Sequence, residues 1–208
     1  MEVYEAISKR MTIRDFAQKA IPPQITERIL SAGLQAPSND HLRRWEFILV
    51  EDRQQREKLV SKIHPPQTQK GTAALVKRMQ LNDDNQQEMY QRAIPKQQSM
   101  LLDAALLVIP CFRPSGDLLQ PETLSSLNCF ASIWCCVENI LIAAASEGIF
   151  GVTRIPFEPE RAHLHKVLHI PAEYEVPCYL ALGYPAESAK RARQIPIETS
   201  ARIHQNTW

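Results

Sequence analysis

The stretch SLNCFASIWCCVENILIAAASEGIFG, residues 126–151, limits what this chain can fold into more than any other segment. Its apolar residues keep helical spacing for about seven turns. That predicts the central helix of the molecule, stopped at Gly148, since glycine enters the left-handed conformation that closes a helix. Everything else must pack around it.

Three runs read as buried strands: WEFILVED at 45–52, AALLVIPCF at 104–112 and VPCYLALGYP at 176–185. Each is rich in aromatic or branched apolar residues and bounded by breakers. Val3, Tyr4, Ile7 and Met11 predict a short helix ending near Arg10. After the AIPPQ break at 20–24, a second helix is expected from about Thr26. Its inner face is Ile29, Leu30, Gly33 and Leu34, and it stops near Pro37. A further helix is expected from Arg53 to about Ile63, before HPPQ. Residues 70–100 are polar, with sparse apolar positions, and read as helices and a mobile loop forming a lid. Residues 188–208 have no core-like pattern and read as an extended tail leaning on another subunit. The order predicts a single α+β domain over 1–208, with helices dominating few strands.

Lys and Arg total 24 against 23 Asp and Glu, a net charge of +1. A nucleic-acid partner normally leaves a basic excess, so none is expected. No apolar run reaches the roughly 18 residues of a membrane span, so no membrane is expected either. The start MEVYEAISKR lacks the pattern of a secretory signal. Five cysteines, two of them adjacent at 135 and 136, suit neither a disulfide framework nor a zinc site. They read as reduced thiols of a cytoplasmic protein.

Three stretches carry possible chemistry. Arg10, Met11, Thr12, Ile13 and Arg14 place two guanidinium groups and a hydroxyl within five residues, donors suited to phosphate. The same pattern fits a helix end and a solvated surface. In AGLQAPSNDHLRRWEF, 32–47, Pro37, Ser38 and Asn39 turn the chain and bring short hydrogen-bonding groups; a turn that satisfies only itself also fits. In SEGIFGVTRIPFEPE, 146–160, Val152, Thr153, Arg154 and Ile155 run extended, able to edge onto a ring system, or simply connecting two helices.

Taken in order, these stretches resemble the nitroreductase family of FMN-dependent flavoproteins. RMTIRDF is similar to its Arg-x-Ser/Thr-x-Arg-x-Phe opening, LQAPSNDHLRRWEF to its Ala-Pro-Ser turn and strand, and ENILIAAASEGIFGV to its long helix. ALGYPAESAKRAR resembles its last strand and basic tail. The resemblance runs from about residue 3 to about 200. It implies a three-layer fold with a central mixed sheet flanked by helices, and a homodimer with FMN at its interface and a domain-swapped C-terminal tail.

It further implies that Arg10, Thr12 and Arg14 bind the phosphate and nearby polar groups of FMN, with Met11 adding a backbone contact. Pro37, Ser38 and Asn39 would approach from the other subunit. Arg191 or Arg193 would reach back to the phosphate, and Val152, Thr153, Arg154 and Ile155 would lie along the flavin edge. Either a backbone N–H or the Thr153 hydroxyl would then serve flavin N5. Where the family has Asn-x-Gln-Pro-Trp this chain has HLRRW, so Arg43 would face the flavin pyrimidine edge or an acidic substrate. Met11 replaces a frequent basic residue. The dehalogenase branch grips its substrate with a Glu-Tyr-Lys trio; Glu88, Tyr90 and Lys96 have the right types without matching spacing. The implied activity is ping-pong transfer from NAD(P)H to a small acceptor such as a nitroaromatic or quinone. No catalytic side chain is named and no metal is expected. A flavin store without turnover, or a dehalogenase-like reductase, is the alternative.

Overall fold

The computed structural model describes residues 2–193 and 195–208; Gln194, inside the expected tail, lies outside them. The order is α1 (Val3–Lys9), α2 (Pro23–Leu34), β1 (Trp45–Leu49), α3 (Arg53–Val60), α4 (Gln69–Arg78), α5 (Asp84–Ala93), α6 (Ser99–Leu102), β2 (Leu106–Phe112), α7 (Asn128–Ser146), β3 (Phe150–Arg154), α8 (Glu158–Leu168) and β4 (Tyr179–Gly183).

The strands lie in the order β1-β2-β4-β3 and pair antiparallel throughout. The parallel component of the expected mixed sheet is one isolated bridge, Thr12 to Gly151. β2 is buried along its whole length, and its side chains alternate between two cores. Leu107, Ile109 and Cys111 face one core with Ile13, Leu59, Leu101 and Leu164. Leu106, Val108 and Phe112 face the other with Ile29, Ile133, Cys136 and Ile140. The sheet is therefore the middle of three layers, with α3, α6 and α8 on one side and α2 and α7 on the other. This is an α+β fold.

α7 ends as expected. Gly148 has φ +72°; its N–H donates to Ala145 and that of Ile149 to Ala144, at 3.1 and 2.9 Å. Ile149 then buries against Ala144, the paired bonds and apolar contact of a Schellman stop. By length and composition the stretch Leu124–Ser146, mean hydropathy 1.6, does suffice to cross a bilayer, contrary to the sequence expectation. Its buried side chains, among them Ile133, Cys136, Val137 and Ile140, pack against α2 and the sheet.

Four local expectations shift. α2 begins at Pro23, three residues early, because proline at the first helical turn loses no bond it would have made. Leu34, expected on its inner face, is exposed. α3 stops at Val60 rather than near Ile63. Residues 150–154, read only as extended, form a fourth strand, and α8 adds a helix that the sequence reading omitted.

Candidate functional site

After α1 the chain runs extended. The Ile13 N–H donates to Gly151 at 3.1 Å, beside the Thr12–Gly151 bridge. Met11 and Ile13 pack on the core, so the period of two turns Arg10, Thr12 and Arg14 the other way. The pairing of β3 with β4 at this point needs glycine. A Cβ on Gly151 would lie 2.4 Å from the Ala181 carbonyl oxygen and 2.5 Å from Leu182 Cδ2. Two of the three sequence-predicted stretches are thus laid side by side.

Arg14 is the odd group of this edge. Its Nε is buried with no hydrogen-bond partner, and the residue forms no ion pair among the described residues. Burial pulls its guanidinium pKa below the usual arginine value, with Tyr90 and Asp15 opposing. Arg14 lines a cleft of about 340 Å³ together with Asp15, Arg92, Ala93, Lys96, Ser188 and Lys190. Of its four cations Lys96 pairs with Asp15 and Arg92 with Glu88, which leaves Arg14 and Lys190, unpaired among the described residues, as a positive excess that suits an anion. Arg10 instead sits against α7, its Nε 3.3 Å from Glu138 Oε1. Both partners are partly exposed, so the pair contributes little and opens easily.

On β3, Val152 and Arg154 face the core. Arg154 donates twice to Glu160, Nη2 to Oε1 at 2.7 Å, and its Nε donates to Gln97 Oε1 at 3.0 Å. Three bonds hold its buried side chain inward, so it is the backbone of this residue that a ligand on the open face would meet. Thr153 points to the opposite face of the strand and is half-buried; Ile155 is exposed.

The turn after α2 is pinned to the start of α7. The Asn39 N–H donates to Ser132 Oγ at 3.1 Å, and Asn39 Oδ1 accepts from Asn128 at 3.1 Å. These are long-range partners, so this turn does more than satisfy itself. Ser38 Oγ is buried without a partner. His41 and Arg43 both have positive φ, 59° and 44°, a conformation costly for non-glycine residues that gathers at binding sites. Arg43 donates to the His41 carbonyl and is exposed. No hydrogen bond or ion pair among the described residues joins this turn to the Arg10–Arg14 edge.

Arg191 and Arg193 are exposed on the tail; the tail cation lining the Arg14 cleft within the chain is Lys190. Of the expected lid, α4 and α5 flank a cleft of about 670 Å³ that shares Arg92 with the smaller one. Glu88 pairs with Arg92 and Lys96 with Asp15, so the Glu-Tyr-Lys types are already engaged separately. Sequence reasoning missed Asp15, Arg92, Gln97 and Lys190 as site neighbours. Only RMTIRDF itself carried a hint of the first.

The nitroreductase family model matches residues 7–184. A protein of Methanothermobacter thermautotrophicus named for NADH dehydrogenase and NAD(P)H nitroreductase activity is 29% identical, over 100% of this chain and 88% of its own. The iodotyrosine deiodinase of Haliscomenobacter hydrossis is also 29% identical, over 90% and 81%. A solved oxidised iodotyrosine deiodinase bound to FMN and 3-iodo-L-tyrosine superposes with a TM-score of 0.74. Its identity is 18% over 100% of both chains, a likeness of fold.

Proposed function

The chain belongs to the nitroreductase family, and from that premise we propose that it is an FMN-dependent oxidoreductase passing electrons from NAD(P)H to a small organic acceptor, such as a nitroaromatic or quinone, by a ping-pong route. The observation that carries the reading is Arg14, a half-buried guanidinium with an unpartnered Nε at the edge of a cationic cleft. Such a group suits an anionic mononucleotide. The FMN bound by the similar deiodinase supports that choice, and the name of the archaeal relative supports the electron donor.

When bound, FMN supplies the hydride acceptor and donor at its N5. The chain's own work is to bind and orient. Arg14 and Thr12 hold polar groups of the cofactor, with Met11 adding a backbone contact. Arg10 joins them once it leaves Glu138. β3 offers backbone from Val152 to Ile155 and the Thr153 hydroxyl. α4 and α5 keep water from the reacting face.

The remaining donors come from a second copy of the chain: Pro37, Ser38, Asn39 and Arg43 from the turn, and Arg191 or Arg193 from the tail. The surface supports a partner. Val3, Tyr4 and Ile7 on α1 are exposed, as are Ile195, Ile197, Ile203 and Trp208 on the tail, apolar side chains that a second copy would cover. The separate engagement of Glu88 and Lys96 gives a dehalogenase reading no additional support.

The test is anaerobic mixing of FMN-loaded protein with NADH or NADPH, followed by a nitroaromatic or quinone. Flavin colour should bleach within seconds and return with acceptor. A colourless protein indifferent to FMN refutes the reading; bound FMN that NAD(P)H never reduces points to a flavin store. Sedimentation should give a dimer, lost when residues 188–208 are removed.

A further inference from the structure

We propose that Lys96 is a positioning residue for the cofactor: it neutralises Asp15, which keeps the Arg14 cleft cationic, and it thereby couples the position of the α4–α5 cover to cofactor retention. The inference rests on the FMN reading above.

Asp15 is the one carboxylate among the residues lining this cleft, and it directly follows Arg14. Lys96 Nζ lies 2.5 Å from both of its oxygens. The two side chains are 35% and 30% exposed, shielded enough for their charges to matter. With Lys96 in place Asp15 is cancelled, and Arg14 and Lys190 carry no ion pair among the described residues. Without it, a bare carboxylate faces any anion that Arg14 receives.

Lys96 also stands where the cover is fastened. The next residue, Gln97, accepts from Arg154 of β3 at 3.0 Å. Gln98 donates to the Val60 carbonyl at the end of α3 at 3.3 Å. Three consecutive side chains therefore rivet the cover to three body elements. The first of them controls the charge beside Arg14, and the second holds the strand that carries Thr153. Displacing the cover exposes Asp15 and loosens the cofactor; a seated cofactor in turn favours the closed cover, since such coupling is reciprocal.

The experiment titrates FMN into apo protein at fixed ionic strength, reading quenching of flavin fluorescence, for the wild type and for Lys96→Met, Lys96→Arg, Asp15→Asn and Lys96→Met/Asp15→Asn. Lys96→Met should weaken binding on the order of tenfold. Lys96→Arg and Asp15→Asn should stay within a few-fold of wild type, and the double variant should recover to that range. Cleavage of residues 67–95 by a dilute protease should speed up in both Lys96→Met proteins, while thermal unfolding of the apo forms shows that each is folded. Wild-type affinity in Lys96→Met, or a double variant as weak as Lys96→Met, overturns the assignment. A wild-type protein that takes up no FMN overturns the functional reading and this inference with it.

Discussion

Replacing Glu160 by Gln is the most demanding test of how the candidate site is supported. The Arg154 and Glu160 side chains are each only 7% exposed. Glu160 accepts two bonds from the guanidinium and a third from the Phe157 N–H at 3.1 Å. Gln keeps the volume and one acceptor oxygen but removes the charge. Arg154 would then keep only neutral partners, the new amide oxygen and Gln97, beside the rings of Phe157 and Tyr179, 5.8 and 5.7 Å from its Cζ. Removing one partner of a buried pair costs about 3–5 kcal/mol, and the retained amide oxygen returns about 1. The net expectation is a loss of about 3 kcal/mol, or a fall of roughly 10 °C in Tm for a chain of this length. Arg154→Met/Glu160→Leu should restore stability to within about 1 kcal/mol of wild type, because apolar neighbours tolerate apolar replacements. Urea unfolding followed by far-ultraviolet circular dichroism at fixed protomer concentration measures both. A loss below about 1 kcal/mol for Glu160→Gln, or a double variant less stable than it, refutes the reasoning.

Burial pushes the Cys111 and Cys136 thiols from 9.0 up to about 12. The folded protein thus holds these protons more tightly than the unfolded chain; their contribution is whole below pH 9 and drains as pH rises from 9 towards 12. Urea midpoints should fall between pH 8 and 10, and less so in Cys111→Ala/Cys136→Ala. At pH 8 a thiol reagent should modify exposed Cys135 first and spare Cys111, Cys136 and Cys178 until unfolding. Gly151→Val should push β3 from β4 and weaken FMN uptake more than it lowers Tm, seen by titration beside a thermal melt. Gly148→Ala, at φ +72°, should cost about 1 kcal/mol in urea unfolding while leaving FMN affinity in place.

What could be read in advance follows from the range of each interaction. The stop of α7 at Gly148 and the buried run of β2 are written in local pattern, and both appear where expected. α8 is not legible in local pattern because its polar sequence, EPERAHLHKVL, buries only Glu160 and Leu164; its start is set by Pro159 and by Glu160, Arg154's own partner, which accepts from the Phe157 N–H. For the site, Arg14 and the Asn39 turn were legible as residue types. Their surroundings were not: Lys96 lies 81 residues from Asp15 and Asn128 89 from Asn39. Likewise, nothing local in VTRIP says that Arg154 turns inward while Thr153 stays half-open.

The cover has a consequence for how such proteins diversify. Its few buried side chains, Thr72, Val76 and Ala93, belong to neither core cluster, and it is clamped to the body at residues 96–98. Substitutions on the outer faces of α4 and α5, away from Arg92 and Ala93 of the Arg14 cleft, can therefore accumulate while leaving both core clusters intact. Lineages sharing this scaffold are free to part ways in the cover long before they part ways in architecture.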